Sequence, residues 1–319
     1  MVDESINILL GLTTICVAKH VGAILWRRKK FANFEYVGNV SAINLYPVKS
    51  TAPISLQSAQ CTKHGLCSEG IHDRHWMVVR GDGLRMNINQ QPKMALIKTT
   101  ALQNVFYLDA PGMPTLELEK YPSEDPSRFI NCKVVGMSIV GMDCGKTASD
   151  WICQYLGMDD LIVVVSTEGM TKRTISDNDN PWINAPFKDD QVTFSDFGVC
   201  NITSESSLQD LNNRLTNPVA MGNFRPSIVV KGSVAFDEDF WKEVKIGDDV
   251  YMRLLEPCPR CLTIAVDPKG KRDPSTEPIK TLRRFRKSPL YGDAPLFGVT
   301  TAVDSEGMIK VGDPVYVLR

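Results

Sequence analysis

Residues Val250–Val266 read VYMRLLEPCPRCLTIAV. The apolar runs Val250–Leu255 and Leu262–Val266 flank a turn marked by Pro257 and Pro259. Both runs are too short for a typical helix, and their branched and large side chains suit strands. Outward from this stretch the same pattern repeats. Strand-like runs occur at Phe34–Lys49, Trp76–Val79, Ala95–Thr99, Thr115–Glu119, Lys133–Val140 and Leu161–Ser166, then at Val192–Phe194, Ser227–Val230 and Val315–Leu318. One helix stands out at Lys146–Leu156, where Ala148, Trp151, Ile152, Tyr155 and Leu156 share a face and Gly157 stops it. A second helix is expected over Ser206–Leu215, capped by Thr203 or Ser204. The fold class is therefore mixed α+β and β-rich, with barrel-like sheets and accessory helices. Met170–Phe194, rich in Asp, Asn and Pro, reads as the loop between halves.

The chain has 319 residues, enough for about two domains. Its 36 Lys and Arg against 37 Asp and Glu leave a net charge of −1, which argues against nucleic-acid binding. Nine cysteines, scattered from Cys16 to Cys261, suit reduced thiols better than a disulfide scaffold. All four histidines lie in the first quarter, so no His-Glu-x-x-His helix exists and no Cys-Cys-His-His finger closes in the second half.

Ile6–Trp26 is about as long and apolar as a bilayer span. Asp3 and Glu4 precede it and Arg27-Arg28-Lys29-Lys30 follow, the reverse of a secretory signal peptide. The expectation is a single-pass membrane-anchor helix with its C-terminal side in the cytosol. Domains are then expected at 1–33 (anchor and basic flank), 34–169 (N-terminal barrel-like domain) and 170–319 (C-terminal barrel).

Three constellations could carry chemistry. Gly141-Met142-Asp143-Cys144-Gly145-Lys146-Thr147 approaches a phosphate-cradling loop, but only three residues separate its glycines where four are needed. A plain strand-to-helix turn explains it. Cys258-Pro259-Arg260-Cys261 could be half a zinc site, a redox dithiol, or the source of one thiolate for a softer metal. No Cys or His follows to complete zinc, and no helix opens at the motif to activate a dithiol. A single thiolate in a mainly cofactor-built coordination sphere remains, beside the plainer reading of two buried cysteines in a hairpin. The third set is cationic residues in turns: Lys49 with Ser50, Arg74, and Asn223 with Arg225. Together they would suit the phosphate tail of a cofactor.

The blocks YPVKS, DRHWMVV, GMDCGKTASDWI, SSLQDLNNRL, NFRPSIVV, CPRCLTIAVDP, SPLYGDAPLFG and KVGDPVYV succeed one another from about Tyr36 to Leu318. In that order they resemble MOSC-domain proteins of the mitochondrial amidoxime-reducing component group. The resemblance implies an N-terminal β-barrel domain, a C-terminal MOSC β-barrel and the molybdenum–molybdopterin cofactor. By it, Cys261 is the metal ligand and catalytic residue, and Cys258 a neighbour. Lys49, Ser50, Arg74, Asn223, Arg225, Ser227, Pro259 and Arg260 would hold the pterin and phosphate. Three positions depart from the group: Phe197-Gly198-Val199 after Asp196, Ser227 for the usual Asn, and Asn89 for a common Arg.

The implied activity is two-electron reduction of small N-hydroxylated substrates such as amidoximes and hydroxylamines. Electrons would come from NADH through NADH-cytochrome b5 reductase and cytochrome b5, at the mitochondrial outer membrane with the catalytic domains facing the cytosol. The basic stretch Lys269, Lys271, Arg272, Lys280, Arg283, Arg284, Arg286 and Lys287 would meet an acidic haem partner. A rival reading is a sulfur or molybdenum-cofactor carrier of the MOSC type, although no pyridoxal-phosphate domain accompanies it. The other rival is a membrane-tethered nucleotide-binding scaffold built on Gly141–Thr147.

Overall fold

A computed structural model describes residues 33–177 and 182–319. The expected anchor and the middle of the linking loop lie outside these residues. Among the described residues no helix is long and apolar enough to cross a membrane.

Seven strands close into a barrel: β1 (Glu35–Leu45), β2 (Cys200–Ser204), β3 (Ile228–Lys231), β4 (Glu243–Ile246), β5 (Val250–Pro259), β6 (Leu296–Ser305) and β7 (Pro314–Leu318). Their order is β3-β2-β6-β5-β4-β7-β1, and β1 returns to β3 to complete the ring. Only β2 and β3 run parallel; every other neighbouring pair is antiparallel. The first strand among the described residues thus seals a ring whose other strands all come from the second half. Closure needs a glycine. At Gly38, φ is +147° and an added Cβ would sit 2.0 Å from the Lys231 carbonyl oxygen of β3. The register of β1 against β7 also shifts there, between Tyr36 and Gly38.

The first half otherwise holds a four-stranded antiparallel sheet of Phe129–Val134, Met137–Asp143, Leu161–Val165 and Trp76–Arg80. Helix α1 (Lys146–Leu156) spans the expected residues, buries the expected five side chains and ends at left-handed Gly157. A three-stranded sheet lies at Lys98–Leu102, Val105–Asp109 and Leu116–Glu119. Helix α2 (Glu205–Asn212) takes Ser204 as its cap, whose hydroxyl accepts from the Ser207 N–H. A further short helix, α3 (Ile279–Phe285), has no counterpart among the sequence expectations.

Four expectations need correction. Leu262–Val266 is no strand: Leu262–Ala265 forms a 3₁₀ turn, with Ile264 and Ala265 both buried, and two consecutive inward residues do not fit a period of two. The run at 95–99 splits between a 3₁₀ turn, Pro92–Leu96, and the strand Lys98–Leu102. The run at 133–140 is a hairpin turning at Val135 and Gly136, both with positive φ. Finally, the linking loop carries a short pair, Arg173–Thr174 with Gln191–Val192. One buried apolar cluster runs from Val37 to Val317 through both halves. A smaller one joins Leu211, Phe224, Ile264, Leu282 and Phe297, with the Phe224 and Phe297 rings stacked at 3.8 Å. It fixes the turns that build the site.

Candidate functional site

A cleft beside the barrel gathers Lys49, Ser50, Arg74, Asn223, Arg225, Pro259, Arg260 and Cys261 from four separate turns. Tyr46 holds three of these turns together. Its ring is fully buried, and the guanidinium carbons of Arg74 and Arg225 lie 5.0 and 4.4 Å from its centroid. Its N–H donates to Asp73 at 2.8 Å, its carbonyl accepts from the Arg74 N–H at 2.7 Å, and Asp73 in turn ion-pairs with Arg74. Arg225 donates to the Thr51 carbonyl at 2.7 Å, which draws the Lys49–Ser50 turn to the Met221–Phe224 turn. Ser50, Arg74 and Arg225 all have positive φ, at 73°, 53° and 52°. Left-handed backbone in side-chain-bearing residues is costly and gathers at ligand clamps.

Lys49 is buried and donates to the Phe194 carbonyl at 2.6 Å and to Asp196 at 2.9 Å. Burial, only partly opposed by Asp196, brings its ammonium pKa down to about 8. Burial alone would raise the Asp196 carboxyl, but Lys49, Arg85 and Arg74 outweigh it and hold the group ionised. Arg173 supports the same wall by donating to the Ser195 carbonyl and, at 3.3 Å, to that of Asp196. Burial likewise lowers Arg225 to about 10. The cleft is cationic, with one carboxylate, Asp196, set against Lys49, Arg74, Arg85, Arg225 and Arg260.

The two cysteines are not equivalent. β5 bulges against β6 between Leu254 and Glu256 and again between Pro257 and Pro259. Cys258 is half-buried, and burial pushes its thiol pKa up. Cys261 is exposed to the cleft at the start of the 3₁₀ turn, with Sγ 3.1 Å from the Thr263 hydroxyl. Both cysteines line the cleft, and Cys261 is the more exposed of the two.

Arg260 lines the cleft, yet three of its N–H groups go to protein: Phe297 carbonyl at 2.8 Å, Phe224 carbonyl at 2.9 Å and Asn201 Oδ1 at 2.7 Å. It braces β2, β6 and the Met221–Phe224 turn around the cysteine pair. Ser227 stands apart from the rest of the expected set. It is fully buried, does not line the cleft, and its hydroxyl accepts from the Asn201 N–H at 3.4 Å. The short side chain reaches only the neighbouring strand, so it steadies the partner of Arg260. Asn223 is more telling. Its amide N–H₂ donates to the Ile264 carbonyl at 2.9 Å, which orients the group, and leaves Oδ1 buried without a partner.

Arg85, Asn87, Ser195, Asp196, Asn201 and Thr300 also line the cleft and went unrecognised in the sequence. An adjoining groove shares Arg85, Asn87, Arg260, Cys261 and Thr263 and adds Asn89, Leu262 and Arg283. The basic stretch is reduced by internal pairs, Arg286 with Asp239 at 2.6 Å and Lys287 with Asp293 at 2.5 Å. At Gly141–Thr147, the Gly145 N–H donates to Asp143 and Lys146 pairs with Asp150 on the same helix face. That is a turn closed on itself.

Residues 37–159 match the MOSC N-terminal beta barrel domain family and residues 189–316 the MOSC domain family. The chain is 37% identical over 301 residues to mitochondrial amidoxime reducing component 2 of Bos taurus, covering 91% of this chain and 87% of that protein. It is 35% identical over 317 residues to the component 2 of Homo sapiens, at 96% and 91% coverage. Against the component 1 of Xenopus laevis the identity is 36% over 316 residues, at 96% and 89% coverage.

Proposed function

Because the chain belongs to the mitochondrial amidoxime-reducing component family of MOSC-domain proteins, we propose that it is a molybdenum-cofactor-dependent reductase of N-hydroxylated compounds. The observation that carries this reading is an exposed thiol, Cys261, in the lining of a cationic cleft. The donor set fits the cofactor. Arg74 and Arg225 suit a phosphate tail, with Lys49 and the Ser50 hydroxyl beside them. The unpartnered Asn223 Oδ1 suits an N–H of the pterin. Cys261 supplies a soft thiolate for the metal, with the less exposed Cys258 as its neighbour.

When bound, the molybdenum centre supplies the two electrons and the Lewis acidity that cleave an N–O bond, converting an amidoxime and two protons to an amidine and water. The residues of this chain bind and orient. Arg260 fixes the turn that presents Cys261, and Arg173 with Lys49 fixes the wall that carries Asp196. Substrate would enter by the groove of Asn87, Asn89, Leu262 and Arg283, which meets the cleft at Cys261.

The finer physiology belongs to the same proposal. Residues 1–33 anchor the protein in the mitochondrial outer membrane with its catalytic domains, 34–169 and 170–319, in the cytosol. Electrons arrive from NADH through cytochrome b5 reductase and cytochrome b5. The exposed Lys269, Lys271, Arg272, Lys280 and Arg284 form the docking patch. Amidoxime-dependent NADH oxidation, measured with cytochrome b5 and its reductase, tests the reading. Cys261→Ala is expected to fold and lose activity, with Cys258→Ala losing far less. Equal losses would mean that the pair works as a dithiol and would sink the single-ligand assignment. Lys280→Glu with Arg284→Glu is expected to raise the KM for cytochrome b5 at low salt while activity with a chemical reductant is kept.

A further inference from the structure

The groove that meets the cleft at Cys261 has a volume of about 420 Å³, within the range of small-molecule sites. The charged residues in its lining are Arg85, Arg260, Arg283 and Asp293, three guanidiniums against one carboxylate. That carboxylate is already matched, since Asp293 pairs with Lys287 at 2.5 Å. Lys49, Ser50, Arg74 and Arg225, which suit the phosphate tail of the cofactor, line the cleft and not the groove. The charge of the groove is therefore a separate feature of the site.

None of the three arginines forms a close ion pair. Arg260 gives its N–H groups to the Phe297 and Phe224 carbonyls and to the Asn201 amide oxygen, all uncharged acceptors. Arg283 is exposed and gives its Nε–H to the Asp293 carbonyl at 3.1 Å, again an uncharged oxygen. Arg85 donates to no described residue. The one described carboxylate within 4.0 Å of its guanidinium is Asp196, at that limit, and Asp196 already accepts from Lys49 at 2.9 Å. The Arg85 side chain is 26% exposed, so it is sheltered yet open to a ligand. Neutral acceptors satisfy geometry but leave charge uncancelled, and a sheltered guanidinium with unused N–H groups calls for an anion.

The groove also has an apolar part. Leu262 is 43% exposed and lines it together with Ala294. We propose that the substrates of this chain are N-hydroxylated acids. An apolar body lies over Leu262 and Ala294, a carboxylate meets the guanidiniums of Arg85 and Arg283, and the N–O group reaches the cleft at Cys261. This inference rests on the reductase reading and names the substrate class for it.

Calorimetric titration of para-carboxybenzamidoxime and of uncharged benzamidoxime into the cofactor-loaded full chain, without an electron donor, tests the proposal. The acid is expected to bind about tenfold tighter, and the difference should shrink at high salt. With NADH, cytochrome b5 and its reductase, the same preference should appear in kcat/KM. Arg85→Gln and Arg283→Gln should each reduce the preference. Arg283→Glu should turn it towards para-aminomethylbenzamidoxime, an inversion that a folding defect could not produce. Equal binding of acid and benzamidoxime overturns the proposal, as does a preference unchanged in both Gln variants. Loss of bound pterin in Arg85→Gln would place that arginine on the cofactor and overturn its assignment to the substrate. A binding preference without turnover of either compound would support the acid site and sink the reductase reading alone, which keeps the two failures apart.

Discussion

Tyr46 shows how one buried side chain organises a site. Two arginines rest on its ring, and each has the left-handed backbone of a tight turn. Their candidacy was legible because each is a cation set in a polar turn beside a strand-like run, and both line the cleft. Cys261 was legible for a similar reason, being one of a closely spaced pair. Asp196 and Arg85 were not, because nothing in their local sequence distinguishes them from any surface charge. They matter through Lys49, which reaches Asp196 across a separation of 147 residues. Replacing Asp196 with Asn should lower the Lys49 pKa below 8 and destabilise the fold. The side chain of Asp196 is 43% exposed, so solvent screening limits the loss to about 1 kcal/mol; urea unfolding at pH 7 would measure it.

Glu238 gives a sharper test at the same scale. It is fully buried and accepts hydrogen bonds from the Ser204 and Ser207 hydroxyls. Burial raises its pKa from 4.5 to about 7. The fold therefore prefers the protonated carboxyl. That contribution is complete below pH 4.5, falls as pH rises towards 7, and is gone above it. Wild-type stability should drop by about 2–4 kcal/mol between pH 4.5 and 8 on this account. Glu238→Gln should flatten that slope in a series of denaturant titrations, and an unchanged slope would refute the assignment.

Elements differed in how well their sequence announced them. Helix α1 was fully legible, because five apolar residues recur at helical spacing and a glycine supplies the left-handed stop. Short apolar runs were not. Leu262–Ala265 has the composition of a strand, yet Ile264 and Ala265 are both buried, and Ile264 joins the cluster around Phe224 and Phe297. Tertiary packing decided the conformation there. β1 carries the most restrictive single position. Gly38→Ala would place a methyl group on the Lys231 carbonyl and force a positive φ on an alanine. A loss of about 2–4 kcal/mol is expected, read as a lower denaturant midpoint with an unchanged m-value. Ser204→Ala, which removes the cap of α2 and one partner of Glu238, should cost about 1–2 kcal/mol.

For the molecule as a whole, the first described strand closes a ring made by the second half of the chain, and one apolar cluster spans both halves. The two halves should therefore unfold together in a single transition, and calorimetry showing two separate peaks would count against this. Deleting residues 1–30, all outside the described structure, should leave a folded and active protein. Aggregation of that protein would show that the segment belongs to the core. The sequence by itself determined the β-rich class, the first helix, and the thiol and cations with the chemistry for a cofactor, since these depend on residue type and near-neighbour spacing. Only the tertiary structure decided that Cys261 is the more exposed sulfur, that Ser227 is buried outside the cleft lining, and that Asp196 and Arg85 join the cleft. Those facts depend on burial and on contacts between residues far apart in the chain, which no local pattern encodes.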